Sequence, residues 1–159
     1  MSAGSFSEMG PNLIKIANAL MDNSDFMKLL YYTNKDPLGE TAIPEKKEIL
    51  HNLLRVIPII PIKDNEHNYV TIRAVNGRIN QNTECLNYIL HIEIFVPLTQ
   101  WVIRGQQLRP FALMGEVSKT LRNMEIEGFG RLDGGTFQLN FVTEEMSAYE
   151  MVFGFTAFV

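Results

Sequence analysis

The chain has 159 residues, of which 46% are hydrophobic and 20% charged, which is the composition of one ordinary folded domain. Its formal net charge of −4 argues against a nucleic-acid groove as its main function, and its single cysteine, Cys85, cannot form an internal disulfide. No apolar run reaches the roughly 18 residues of a membrane span and the first residues do not resemble a signal peptide, so we expect assembly in the cytoplasm.

The N-terminal region predicts two helices. Residues 1–11 are mostly small and polar, which predicts a flexible tail ahead of a single domain over 12–159. Apolar residues then recur at helical spacing over 12–22, and Asn23 or Ser24 is suited to cap a second helix.

The next region predicts irregular structure. Turn-forming residues predict a loop over 34–43, and an acidic start with an apolar end predicts a short helix over 44–54. Residues 56–62 are apolar but include two prolines, which cannot donate a ladder hydrogen bond. This segment is therefore either an edge strand or an extended stretch along an edge.

The longest two-residue alternation in the chain, over 86–96, predicts a central strand with one buried face. His91 and Glu93 interrupt its other face, which favours an antiparallel sheet whose second face meets water or another subunit. A shorter alternation over 69–75 predicts the hairpin partner of this strand.

The C-terminal region predicts one more helix and two strands. Apolar spacing over 108–124 predicts an amphipathic helix across the sheet, ended by Gly128. A turn at 133–135 precedes an alternating strand over 137–141, and the apolar strand over 149–158 should lie inside the sheet. The predicted fold is α+β: an antiparallel four- to five-stranded sheet with helices packed mainly on one face.

Few residues have the pattern of a chemical site. His51, His67 and His91 are spaced too far apart in the sequence to suggest a shared metal ion. His91 and Glu93 share a strand face and could act as an acid and base, but a solvated or subunit-facing polar strip explains them better. We therefore expect no catalytic residue, cofactor or metal, and we do not expect an enzyme.

The segment over 97–109 fits no regular period and is longer than a minimal connection. It contains Trp101, Arg104 and Arg109, and Trp and Arg are enriched at interface hot spots. We expect these three residues to form a partner interface, with Trp101 as its apolar anchor. The alternative is that Trp101 folds back onto its own sheet.

The order of these elements, and the phrase KLLYYTNKDPLG at residues 28–39, resemble the tail-terminator and head–tail joining proteins of long-tailed bacteriophages. The resemblance implies a structural virion subunit that forms a ring, commonly six-fold. The ring would cap the tail tube and meet the head connector proteins, and DNA would pass through it without sequence-specific binding.

Two segments depart from a minimal member of this family, namely 34–55 and the proline-containing 56–62. They leave open whether the chain is the terminator itself or another neck or tail-completion adaptor. A small non-viral binding module is a further alternative.

Overall fold

The computed structural model describes residues 6–43, 52–56, 66–79, 81, 85–122, 124–126 and 130–156. The helices in these residues are α1 (Phe6–Met21), α2 (Ser24–Tyr31) and α3 (Arg109–Leu121). The strands are β1 (Leu54–Arg55), β2 (Tyr69–Ile79), β3 (Cys85–Pro97), β4 (Val102–Ile103), β5 (Gln107–Leu108), β6 (Glu125–Ile126), β7 (Gly130–Val142) and β8 (Met146–Thr156).

The body of the structure is one sheet with the strand order β1-β2-β3-β8-β7-β6. The four long strands, β2, β3, β8 and β7, run antiparallel to one another in this order. The two-residue strand β1 pairs in parallel with β2, and β6 pairs in antiparallel with β7. The predicted α+β fold, the β2–β3 hairpin and the internal position of the C-terminal strand are confirmed, whereas the short parallel pair was not predicted.

The helices pack on one face of this sheet. The strand register places Ile72, Ile92 and Met151 side by side on that face, and all three are buried. Fully burying such a side chain stabilises the fold by about 1.5–3 kcal/mol. The helices contribute the buried apolar side chains of Ile16, Ala17, Leu20, Met21, Phe26, Met27, Leu29, Leu30, Leu113, Met114, Val117 and Leu121.

Asn23 joins two of the helices. Its side chain caps α2 by accepting a hydrogen bond from the backbone N–H of Phe26 at 3.0 Å. Asn23 is one of the two residues that the sequence predicted as this cap. Its Nδ2 also donates to Glu116 Oε2 and Thr120 Oγ1 of α3, at 2.9 Å each. One side chain therefore fixes both the start of α2 and its position against α3.

The first helix begins earlier than the sequence pattern suggested. It starts at Phe6 and continues through Pro11, so the expectation of a flexible tail is wrong for residues 6–11, while residues 1–5 lie outside the described residues. Pro11 lacks an N–H and removes one helical hydrogen bond. Met9 and Leu13, four residues apart on either side of Pro11, both pack against the core.

The turn predicted at 133–135 is a bulge inside β7. The strand runs from Gly130 to Val142, and its register with β8 shifts between Leu132 and Gly135. Gly134 has a φ of 64°, which glycine adopts without strain. A Cβ at Gly135 would overlap the carbonyl oxygen of Val152. These glycines therefore let β7 bend and approach β8 rather than end the strand.

Two other boundaries differ from the prediction. Helix α3 ends at Leu121, and Glu125–Ile126 then pairs with β7 instead of extending the helix. The predicted stop at Gly128 lies outside the described residues. So do most of the helix predicted over 44–54 and all but Val56 of the segment predicted over 56–62.

Candidate functional site

The segment over 97–109 is an ordered structure that folds back against the domain. It forms a 3₁₀ turn at Leu98–Gln100 and a small hairpin of β4 and β5. The backbone N–H of Leu98 donates to the carbonyl of Glu145 at 2.9 Å, and that of Arg109 donates to the carbonyl of Trp101 at 2.7 Å. The first of these hydrogen bonds fixes the start of the segment to the domain, and the second closes the segment on itself.

Trp101 lies against the sheet. It is half-buried, its Nε1 donates to Ser147 Oγ at 2.7 Å, and its ring centroid is 6.0 Å from that of Tyr149. Ser147 Oγ in turn donates to the carbonyl of Val96 at 2.9 Å. The indole N–H and much of the ring are thus already engaged within the chain, as the alternative interpretation expected.

Arg109 is fully buried, so the expectation that it borders a partner surface is wrong. Its Nε donates to the carbonyl of Gln100 at 3.0 Å, and its Nη1 donates to those of Leu29 and Tyr32 at 2.5 and 2.8 Å. Its Nη2 donates to the carbonyl of Asn34 at 2.7 Å. Burial lowers the pKa of Arg109 to about 10, which still leaves it charged at neutral pH. Arg109 binds backbone carbonyls inside the fold.

Arg104 is the one of the three predicted interface residues that is clearly at the surface. Its side chain is 79% exposed, and its Nη1 lies 3.2 Å from Asp36 Oδ2. Its backbone N–H donates to the carbonyl of Lys35 at 2.7 Å. The hairpin tip is thus held against the loop that follows α2, and the charged end of Arg104 is available to a partner.

A larger apolar surface lies on β7, where the sheet extends beyond the helices. Phe137 and Leu139 point to the helix-covered side, level with Met151 and Tyr149, yet they are 63% and 49% exposed. Phe111 of α3, whose ring centroid is 5.3 Å from that of Tyr149, adds to this surface and is 44% exposed. Exposed apolar side chains that adjoin one another mark interaction surfaces more often than isolated ones do.

The backbone at both sides of the sheet is largely without a partner strand in the described part of the chain. On one side, β1 pairs with Val70 and Thr71, and from Ile72 onward the edge of β2 has no partner strand among the described residues. On the other side, β6 pairs with Gly130 and Arg131, and no other strand that the structure describes lies along this edge of β7 from Leu132 onward. Long open edges are ready to pair with another chain.

A second apolar feature adjoins the open edge of β2. The first turns of α1 and the end of β2 enclose a groove of about 280 Å³, lined by Phe6, Met9 and residues 74–79. Phe6 is 57% exposed, Val75 52% and Ile79 64%. Sequence reasoning missed both apolar surfaces because an apolar alternation looks the same on an open edge as in a covered strand.

The face of the sheet opposite the helices carries a charged network. Arg73 forms an ion pair with Glu93, and His91 Nδ1 contacts Glu150 Oε1. Gln138 Nε2 donates to Glu150 Oε2 at 3.3 Å. His91 therefore pairs across strands with Glu150 and not with Glu93, its neighbour along the strand.

The described residues contain neither a cluster suited to a metal ion nor a helix suited to a membrane. No group of three His, Cys, Asp or Glu side chains among them is placed to hold a metal ion. None of the helices that the structure describes combines the length and apolar character needed to span a membrane.

Comparison with known proteins identifies a family. Residues 23–155 match the model of the YomW family. No curated protein and no solved structure matches the chain. YomW is the name of a Bacillus phage-derived protein family, and the chain is therefore a phage-related protein. Because the match spans most of its length, the chain belongs to the YomW family.

Proposed function

We propose that the chain is a ring-forming structural subunit of a phage particle, the tail terminator or head–tail joining protein that caps the tail tube. The observation that supports this most is that, among the described residues, the outer long strands on both sides of one sheet lack a partner strand along most of their length, each beside exposed apolar side chains. A cyclic ring requires two different, complementary surfaces on every copy, and a single chain with two unlike edges meets that requirement.

The partners of this ring would be further copies of the chain, the tail tube protein and the head connector proteins. We expect six copies around the DNA channel, in a virion neck that is assembled in the host cytoplasm. The net charge of −4 suits a channel through which DNA slides, since phosphate binding relies on Lys and Arg. The binding of DNA would then be neither tight nor sequence-specific.

The second candidate is another neck or tail-completion adaptor of the same particle. Its support is the same pair of edges, together with the exposed Arg104 at the hairpin tip, which offers a contact outside the plane of the ring. A phage lacking the terminator should make tails of irregular length, because nothing stops tube growth. A phage lacking a different adaptor should make tails of normal length that fail to join heads.

Ring formation is tested with the purified full-length protein. Light scattering after size exclusion measures its mass, and negative-stain electron microscopy shows its shape, with and without isolated tail tubes. We expect a closed ring, free or at the head-proximal end of the tube. A protein that stays monomeric at every concentration and also adds no ring to tail tubes would contradict the proposal.

A further inference from the structure

We infer, on the basis of the proposed ring, that neighbouring copies join head to tail through the two open edges of the sheet. Phe137 and Leu139 of one copy would pack into the groove between α1 and β2 of the next copy. The occupant of the groove is thus a second copy of this chain.

The strand directions support this pairing. The four long strands alternate in direction across the sheet, so β7 runs opposite to β2. A copy added beside β7 with its helices on the same side would present β2 antiparallel to β7. The ladder of antiparallel hydrogen bonds could then continue from one copy into the next.

The apolar side chains on β7 and in the groove lie on the same side of the sheet. Phe137 and Leu139 point to the helix-covered side of the sheet, and Phe6 and Met9 of α1 form a wall of the groove on that side. Each surface exposes large apolar side chains in the single chain, although the groove lining also includes Asn76 and Arg78. Joining them would remove both from water, which is the main source of free energy in most protein association.

The short edge strands determine the offset between copies. Phe137 lies level with Ile72, because the paired residues Met151 and Ile92 connect them across the sheet. The groove begins two residues further along β2, at Ala74. The start of β2 is already occupied by β1. Seating Phe137 within the groove therefore requires a shift along the strands, across a stretch where the register of β2 with β3 is itself irregular between Ala74 and Arg78. Such a stagger is expected when strands tilt relative to the axis of a closed ring.

Two single substitutions test the two surfaces separately. Phe137→Glu places a charge on the β7 side, and Val75→Glu places one in the groove. Each variant alone should lose the ring and run as a monomer. An equimolar mixture should form a 1:1 dimer that grows no further, because it combines the intact Phe137 of one variant with the intact groove of the other. Ile14→Glu, on the outer side of α1, is the matched control and should keep the ring.

The readout is native mass spectrometry of the mixture, with thermal melting of each variant to check the fold. If a variant melts early, Leu139→Glu or Ile79→Glu replaces it on the same surface. Rings that persist in both variants would overturn this inference and leave the proposed function standing. Loss of assembly in Phe137→Glu alone would overturn the inference in favour of β7 pairing with β7 of another copy. A mixture that stays monomeric would also overturn the inference. Absence of any ring from the unsubstituted protein, free or on tail tubes, would instead remove the proposed function.

Discussion

Glu93 and Glu150 lie directly opposite each other on neighbouring strands, although their residues are only 8% and 7% exposed. Like charges in this position destabilise a strand pair unless each has its own partner. Arg73 pairs with Glu93, while His91 and Gln138 contact Glu150. The two carboxylates are therefore tolerated together only because cationic and amide groups approach from both sides.

Replacing Arg73 should test this arrangement. Arg73→Met leaves Glu93 nearly buried, unpaired and beside a second carboxylate, so we expect the free energy of unfolding to fall by about 2 kcal/mol or more. The matched control is Arg104→Met, which breaks the exposed pair with Asp36 and should cost less than about 1 kcal/mol. Urea denaturation measures both. Adding Glu93→Gln to Arg73→Met should restore part of the loss, and failure to do so would show that the lost stability is not electrostatic.

Trp101→Ala should lower the stability of the single chain. It removes the hydrogen bond to Ser147 and the packing against Tyr149, so we expect a loss of about 2–3 kcal/mol. Ser147→Ala removes the hydroxyl alone and should cost about 1 kcal/mol. Thermal melting compares them with Val102→Ala, a 63% exposed neighbour that should melt as the unsubstituted protein does. Unchanged melting of Trp101→Ala with weakened assembly would instead support Trp101 as an interface anchor.

Arg109→Met should be among the most destabilising substitutions in the chain. It removes the donor to four backbone carbonyls, of which Leu29 keeps a long contact from Asn68 Nδ2 at 3.5 Å, and we expect a loss of at least about 3 kcal/mol in urea denaturation. Arg109→Lys keeps the charge but lacks the planar guanidinium fork. Its free energy of unfolding should therefore lie between those of the original protein and Arg109→Met. Arg104→Lys is the control at the surface. A Lys variant as stable as the original would show that the four hydrogen bonds contribute little.

The pH dependence of the Arg109 effect follows from its pKa. Burial lowers the pKa in the folded chain to about 10, so both folded and unfolded chains hold the proton at lower pH. The difference in stability between the original protein and Arg109→Met should therefore be constant between about pH 6 and 9. Above about pH 10 the unfolded chain binds more protons than the folded chain, so the Arg109 contribution to stability rises. A difference that changes between pH 6 and 9 would contradict this.

Three glycines give a graded series. Gly135→Ala forces a methyl group onto the carbonyl of Val152 and should cost more than about 2 kcal/mol. Gly134→Ala has open space but a positive φ, so about 1 kcal/mol is expected. Gly154 has neither constraint, and Gly154→Ala should change stability by less than about 0.5 kcal/mol. Urea denaturation ranks the three, and an equal cost at all positions would show that the bulge geometry does not matter.

The sequence predicted the long strands well because apolar alternation records a buried face directly. It also predicted Asn23 as a possible cap, since capping depends on adjacent residues. It could not predict the bulge at Gly134, because the same Asp-Gly-Gly pattern is typical of turns and only the approach of β8 distinguishes the two. The helical start at Phe6 was visible in the spacing of Phe6 and Met9 but was obscured by Pro11.

The candidate site was harder to predict from the sequence than the fold. Arg109 follows a loop and precedes Pro110, which resembles a surface position, and its carbonyl partners lie as far as 80 residues away along the chain. His91 and Glu93 are neighbours in the sequence, but their partners are set by the register of β2 and β8. The exposed Phe137 depends on where the helix layer ends, which no local pattern records.

The contacts of Arg109 also bear on the order of folding. The carbonyls of Leu29 and Tyr32 close the C-terminal end of α2, and a cation there is favoured by the helix dipole. The cation is Arg109, the first residue of α3. The C-terminal end of α2 can therefore form these hydrogen bonds only after most of the chain has been made. Formation of such distant contacts is slow, because the entropy of closing the intervening loop opposes it. We therefore expect the backbone amides of α2 to become fully protected from hydrogen exchange at the same time as those of α3 during folding. This is later than the time at which an isolated helix of eight residues would form.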